Sequence, residues 1–302
     1  MRREERASLA PAMESDPRRE ALLQRLNQIE TLASPPTSLD RILVLAGDPE
    51  ANIGSLSEAI QVDPSITARV LKLANSAYFG FSRHVETVDE AIMVIGSRNV
   101  RNLAACAVVG PLFDGESAGI ELSALWRHCC GVAEAARLIA IRQSTEDGPA
   151  YIAGLLHDIG QVILAETLRE AYAVVLQKDR RIGGLDAVER EALGGDHAWA
   201  GGVLCERWHL SPGVIAAIRC HHQPERDESG SAARVCLAEW LAANEGLGDP
   251  SDPGLGESDA PESAILAQLR LAPADAEELA AQLGERREAI DMLYHESLGR
   301  GR

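Results

Sequence analysis

Helix-start signals followed by apolar residues at helical spacing recur along almost the whole chain. No segment alternates apolar and polar residues as a half-buried strand would. Asp63-Pro64 joins an N-cap side chain to a proline at the first helical position. Ile66, Val70 and Leu73 follow at i, i+4 and i+7, which gives that helix one buried face. Ser55 with Glu58, and Thr87 with Glu90, have the spacing of capping boxes. Gly96 is placed to stop the helix after Thr87, and Ser97 to cap the next one, running to about Gly110. Ser123 opens a long helix through Trp126, His128, Ala133 and Leu138 to about Arg142, and Pro149 opens another that ends near His157–Gly160. Further helices are expected over 161–177, 186–207, 212–221 and 230–243. Aromatic residues make up only 4% of the chain, so these helices must pack on Ala, Leu, Ile and Val.

The expected fold is therefore all-α, with two helical lobes. Residues 1–22 read as a polar tail, with the first helix around Arg25–Glu30. A first lobe covers about 23–115, with a break at Gly115–Gly119, and a second covers about 120–243. Residues 244–264 are rich in Gly, Pro and Ser and carry six acidic and no basic side chains, which reads as a flexible acidic loop. Short helices over 265–298 close the chain.

Charge narrows the partners. The 29 Lys and Arg against 46 Asp and Glu leave a formal charge of −17. That weighs against nucleic acid, which is bound through Lys and Arg on phosphates, and against adhesion to anionic membranes. No run is long and apolar enough for a membrane span, and residues 1–19 lack the apolar centre of a secretory signal. The six cysteines form no CxxC pair and sit in apolar runs, as reduced core residues do. A cytoplasmic location is expected. Neither oligomeric state nor partner identity is encoded in any motif.

Chemistry concentrates in the second lobe. His157 and Asp158 are adjacent inside the apolar run Gly154–Gly160. A buried carboxylate is costly unless paired, hydrogen-bonded or metal-bound. His128 lies on the preceding helix, and Asp196-His197, His221-His222 and Glu239 follow downstream. Imidazole with carboxylate is a donor set for a divalent metal such as Fe, Mn, Zn or Mg. The same residues could instead form a buried hydrogen-bonded network. His221 and His222, at a helix C-terminus, could instead be cations on the helix dipole.

This arrangement resembles the HD superfamily of metal-dependent phosphohydrolases. Asp63-Pro64-Ser65-Ile66 through Asn75-Ser76-Ala77-Tyr78-Phe79-Gly80, then Thr87–Gly96, Leu155–Gly160 and His221-His222-Gln223-Pro224, resemble HDOD domains, the HD-related output domains of bacterial signalling proteins. The resemblance covers about residues 30–290. It implies an all-α, two-lobed output module (23–290) with an HD-like second lobe. It also implies His128, His157, Asp158 and Glu239 as ligands of one metal, with His197, His221 and His222 available to a second. Glu239 stands where the family has an Asp, which points to a degenerate pocket.

The expected function is a signalling output module that works through protein contacts, with enzymatic activity left open. The alternative is a metal-dependent phosphohydrolase acting on a nucleotide or other phosphoester. Asn75 and Ser76 are candidates for a contact with a partner or between the lobes, or else for fixing a local turn. Arg98 and Arg101, at i and i+3, read as a solvated face or an anion contact.

Overall fold

A computed structural model describes residues 16–28, 37–48, 50–76, 79, 84–178, 184–252 and 263–298. Helix α1 (Pro17–Gln28) docks on the second lobe instead of the first, with Arg207 donating to the Leu26 carbonyl and Arg19 lying over the Trp199 ring. The first lobe contains α2 (Thr37–Gly47), α3 (Ile53–Gln61), α4 (Pro64–Ala74), α5 (Val88–Ile95) and α6 (Ser97–Val109). Asp63 caps α4 as expected, accepting hydrogen bonds from the Ser65 and Ile66 amides. Thr87 accepts from the Glu90 amide, and Gly96, at φ +83°, ends α5.

Two expected caps are corrected. The side chain of Asn52, not Ser55, accepts from the Gly54 amide, so α3 starts at Ile53 and Ser55 lies within it. Ser97 gives α6 no side-chain cap; Gly96 holds that position. The first helix also begins earlier than expected, at Pro17 inside the segment read as a tail, because Leu22 and Leu26 bury one face.

The break at 115–119 contains a two-residue antiparallel hairpin, β1 (Glu116–Ser117) and β2 (Ile120–Glu121), the only strands among the described residues. The second lobe follows as α7 (Leu122–Arg142), α8 (Asp147–Leu156), α9 (Ile159–Thr167), α10 (Arg169–Leu176), α11 (Gly184–Leu193), α12 (His197–Arg207), α13 (Pro212–Cys220) and α14 (Ser231–Asn244). The helix expected over 161–177 is two helices that meet at Leu168. That over 186–207 is broken after Leu193, where Gly194 adopts φ +80° and Asp196 caps α12 through the Trp199 amide. Helices α15 (Ser263–Leu269), α16 (Pro273–Glu285) and α17 (Arg287–Ser297) close the chain.

The long helix α7 lies at the centre and packs along α8 and α14. It is buried over most of its length, from Leu125 and Trp126 to Ile139 and Ala140. Gly154 lets α8 lie directly on α7, since a Cβ there would stand 2.7 Å from the Ala133 Cα. The lobes meet where α2 and α6 pack on α8. Helix α17 spans both, packing on α4 and α7, and Ser297 accepts a 2.7 Å hydrogen bond from the Trp126 indole.

Of the two readings of Asn75, its side chain makes the contacts of the local turn. Its amide donates to the carbonyls of Leu71 and Val85 and its oxygen accepts from the Val85 amide. Three hydrogen bonds within one lobe thus tie the end of α4 to the segment before α5. Ser76 continues that turn through its backbone, its amide bonded to Leu73 and its carbonyl to Phe79. Arg101 is not solvated either: its guanidinium donates to the carbonyls of Leu45, Asp48 and Ala51 and so caps the end of α2. Of the aromatic group in the signature, Phe79 packs against the core, and Tyr78 and Phe81 lie outside the described residues. No disulfide joins any of the six cysteines among the described residues, and four of them are buried.

Candidate metal centre

Five helix ends or faces converge in the second lobe. Helix α7 supplies His128, and the break between α8 and α9 supplies His157 and Asp158. The first residue of α12 is His197, the end of α13 carries His221 and His222, and α14 carries Glu239. Apart from His222, which is half-buried, none is more than 2% exposed.

Asp158 lies between two groups of ligand atoms. Its Oδ2 is 3.1 Å from His157 Nε2 and 3.7 Å from His128 Nε2. Its Oδ1 is 3.3 Å from His197 Nε2 and 3.9 Å from His221 Nε2. Glu239 completes the first group, with Oε1 3.7 Å from His157 Nε2. His222 completes the second, its Nε2 2.8 Å from that of His197. The two sets His128–His157–Glu239 and His197–His221–His222 each bring their ligand atoms within 4.8 Å of one another. Two ligands ~2.0–2.3 Å from one ion stand roughly 3–4 Å apart, so the spacing fits a metal in each. The extra methylene of Glu239 does not carry its carboxylate out of range.

The tautomers decide what these atoms are prepared for. His128 Nδ1 is 2.7 Å from the Leu247 carbonyl, His157 Nδ1 2.8 Å from that of Gly154, and His221 Nδ1 2.7 Å from that of Ile218. A carbonyl only accepts, so each Nδ1 carries the hydrogen and each neutral ring presents a lone pair at Nε2. His128 and His157 then aim those Nε2 atoms at each other across 3.2 Å. Facing lone pairs repel unless a cation or proton lies between them. His221 Nε2 is buried with no hydrogen-bond partner. Imidazoles anchored at one nitrogen and open at the other are what metal ligation requires. The residues present therefore fit a divalent metal, and could hold two.

Without metal, protons must take that role. Burial works against charge on His157, but Asp158 and Glu239 overcome it and lift its pKa to about 9. Burial also opposes charge on His197, which Glu189 and Asp158 hold well above the usual range. Burial, reinforced by the charges on His157 and His197, pushes His221 down to about 3. It lowers His222 and His128 too, so His221 and His222 are neutral rings and not cations on a helix dipole. Burial raises Glu239 to about 8.

These shifts give a signed expectation for chelated protein. Raised folded values at His157, His197 and Glu239 stabilise the fold at low pH and lose that effect as pH rises toward 9. The lowered imidazoles act oppositely, but only below their unfolded value near ~6.5. Metal-free protein should therefore lose melting temperature between pH ~6.5 and 9, and metal-loaded protein should not, because ligation requires the deprotonated rings. Melting curves with and without chelator at both pH values check this.

Two acids at the centre escaped the sequence reading. Glu189 on α11 is fully buried and orients His197, accepting from its amide at 2.8 Å, its Nδ1 at 2.6 Å and the Tyr172 hydroxyl at 2.5 Å. Its signal was present: an acid on the apolar face of Leu185, Val188 and Ala192. Asp249 gave no such signal, because it lies in the segment read as a flexible acidic loop. The structure corrects that reading for the first part of the loop. Asp249 is buried, accepts from the Gln161 amide at 2.9 Å and from Ser251, and bears electrostatically on His128. Asp252 is buried as well and accepts from the Leu185 amide. Residues 253–262 lie outside the described residues.

The HDOD domain profile matches residues 32–224, well over half the chain. The chain belongs to the HDOD domain family. This HDOD domain superposes on an HDOD domain protein of unknown function from Geobacter sulfurreducens with a TM-score of 0.70 and 26% identity, covering 90% of this chain and 99% of that one. It also matches a protein of Marinobacter aquaeolei VT8, provisionally assigned to signal transduction, with a TM-score of 0.74 and 25% identity over 93% of this chain and 65% of that one. In sequence it is 28% identical over 204 residues to an uncharacterised protein of Treponema pallidum (strain Nichols), covering 65% of this chain and 38% of the relative. It is 32% identical over 116 residues to ribonuclease Y of Sulfurovum sp. (strain NBC37-1), covering 38% of this chain and 18% of the enzyme. The chain thus spans well under half the length of these curated relatives. No helix among the described residues is long and apolar enough to cross a membrane.

Proposed function

We propose that this HDOD domain is a cytoplasmic signal-transduction output module that acts through protein contacts, with a divalent metal held in a closed HD-type centre. One observation carries the reading: the donor set is complete, yet every ligand except His222 is buried. Structural metal sites are closed by protein, whereas catalytic ones keep a position open to substrate. The signalling assignment of the Marinobacter relative supports the output role.

A second reading, a metal-dependent phosphohydrolase, is favoured by His222. It is the half-buried member of a set otherwise closed to solvent. A metal bound there would supply an activated water. His222, the buried carboxylates and His197 would orient that water and move its proton. The match to ribonuclease Y fits hydrolysis of phosphodiesters, but a charge of −17 makes this chain a poor binder of RNA.

Purified protein loaded with Mn, Fe or Zn, then assayed on bis(p-nitrophenyl) phosphate and on nucleotides, separates the two. The module reading expects bound metal and no turnover above the His157→Ala background. Sustained hydrolysis lost in His157→Ala would overturn it and establish the hydrolase.

A further inference from the structure

A second polar cavity, of about 560 Å³, lies away from the metal centre, between the lobes. The N-terminal turn of α6 forms one wall, and α7, α8 and the Arg286 end of α17 form the other. That volume lies within the ~300–1,000 Å³ of small-molecule sites.

Its charge runs against that of the chain. The lining contains Arg98, Arg137 and Arg286 but only one acid, Glu134, within a molecule of formal charge −17. Arg137 is nearly buried and is held by Glu134 at 2.7 and 2.8 Å. Arg286 reaches the same carboxylate at 2.7 Å, and Arg98 leans on Asp147 at 3.1 Å. Three guanidiniums on separate elements thus share two carboxylates. Beside them α6 begins with no side-chain cap, and nothing lies within 4 Å of where a Cβ on Gly96 would stand. Fork-shaped donors and a free helix start together suit a phosphate.

The rest of the lining differs in character. The half-buried Phe79 and Leu293 offer apolar surface, whereas Leu103 and Tyr151 are only 3% and 2% exposed, and Asn102 offers an amide that makes no side-chain hydrogen bond among the described residues. An anionic end beside an apolar end with an amide matches a phosphate joined to a planar, hydrogen-bonding ring. We propose that this inter-lobe cavity binds a nucleoside phosphate. The phosphate would lie on Arg98, Arg286 and the start of α6, and the base against Phe79 and Leu293, beside Asn102. Because the walls come from both lobes, the ligand would bridge them.

Calorimetry on the full chain in chelator, with AMP, ATP, GTP and pyrophosphate as probes, tests this. At least one nucleotide should bind with Kd tighter than about 0.5 mM, and pyrophosphate at least ~10-fold more weakly. The double variant Arg98→Ala/Arg286→Ala removes two exposed guanidiniums and should weaken the nucleotide ~10-fold or more. Asn102→Leu leaves every ion pair in place and should weaken the nucleotide but not pyrophosphate. Gly213→Ala, on α13 outside this cavity and with nothing within 4 Å of its added Cβ, should leave binding unchanged. The proposal is overturned if no nucleotide reaches that affinity, if pyrophosphate binds as well, or if neither arginine nor Asn102 variants alter Kd.

Discussion

Changing His157 to alanine should release bound metal and destabilise the fold together. In the folded protein His157 Nε2 stands 3.1 Å from Asp158 and 3.7 Å from Glu239, both essentially inaccessible to water. Alanine leaves two buried carboxylates facing a space with neither imidazole nor firmly held metal. Breaking one side of a buried charge network costs about 3–5 kcal/mol, because the remaining charge stays desolvated. Elemental analysis should show at least one equivalent of metal lost relative to the parent protein. Thermal unfolding should show a lower melting temperature that no longer responds to chelator. Glu189→Gln makes the comparison informative. It touches no ligand position but loosens the anchor of His197, so metal should stay, with affinity reduced ~10–100-fold. Unchanged metal content in His157→Ala would sink the metal reading of the centre.

Gly160→Ala should be nearly as damaging, though the change adds only one methyl. A Cβ at 160 would stand 1.9 Å from the His197 carbonyl oxygen and 2.8 Å from the Gly201 amide nitrogen. Both are backbone atoms, so no side chain can move aside. Helix α12 must shift away from α9, and His197 with it, away from Asp158. Overpacking of this kind costs about 1–3 kcal/mol or more. The melting temperature should fall by on the order of 5 °C. Metal should be lost selectively from the group containing His197, His221 and His222. Gly213→Ala is the control: nothing lies within 4 Å of a Cβ there. It should be neutral or slightly stabilising. Equal melting temperatures for the two variants would show that the α9–α12 contact is not as tight as described.

Much of this was legible in the sequence because the signals are local. Asp63 and Thr87 cap the helices expected of them, since a cap needs only its own first turn. Ser55 failed because Asn52 lies three residues upstream and captures the helix start. The break inside 186–207 also had a local signal, Gly194 followed by the capping Asp196. The histidines and Asp158 could be nominated from residue type and order. Asp249 could not: its burial depends on Gln161 and Ser251 in a packed structure, and its neighbours in sequence have the composition of a solvated loop. Likewise Arg98 and Arg101 read alike in sequence. Packing gave one to the end of α2 and the other to the inter-lobe cavity.

The clasp made by α17 also bears on the order in which the molecule can be assembled during synthesis. The indole of Trp126 is closed over by Ser297, 171 residues later, and Lys72 on α4 pairs with Glu296 at 2.9 Å. Every helix contributing to the metal centre emerges before that clasp exists. A nascent chain can thus gather its histidines while the first lobe is still loosely attached to the second. Until residues near 297 are released, the apolar surface around Trp126 is exposed, and the growing chain passes through a stage prone to mispairing with its neighbours. A chain truncated before α17 should therefore aggregate even though its metal-binding residues are all present, which light scattering during refolding would reveal.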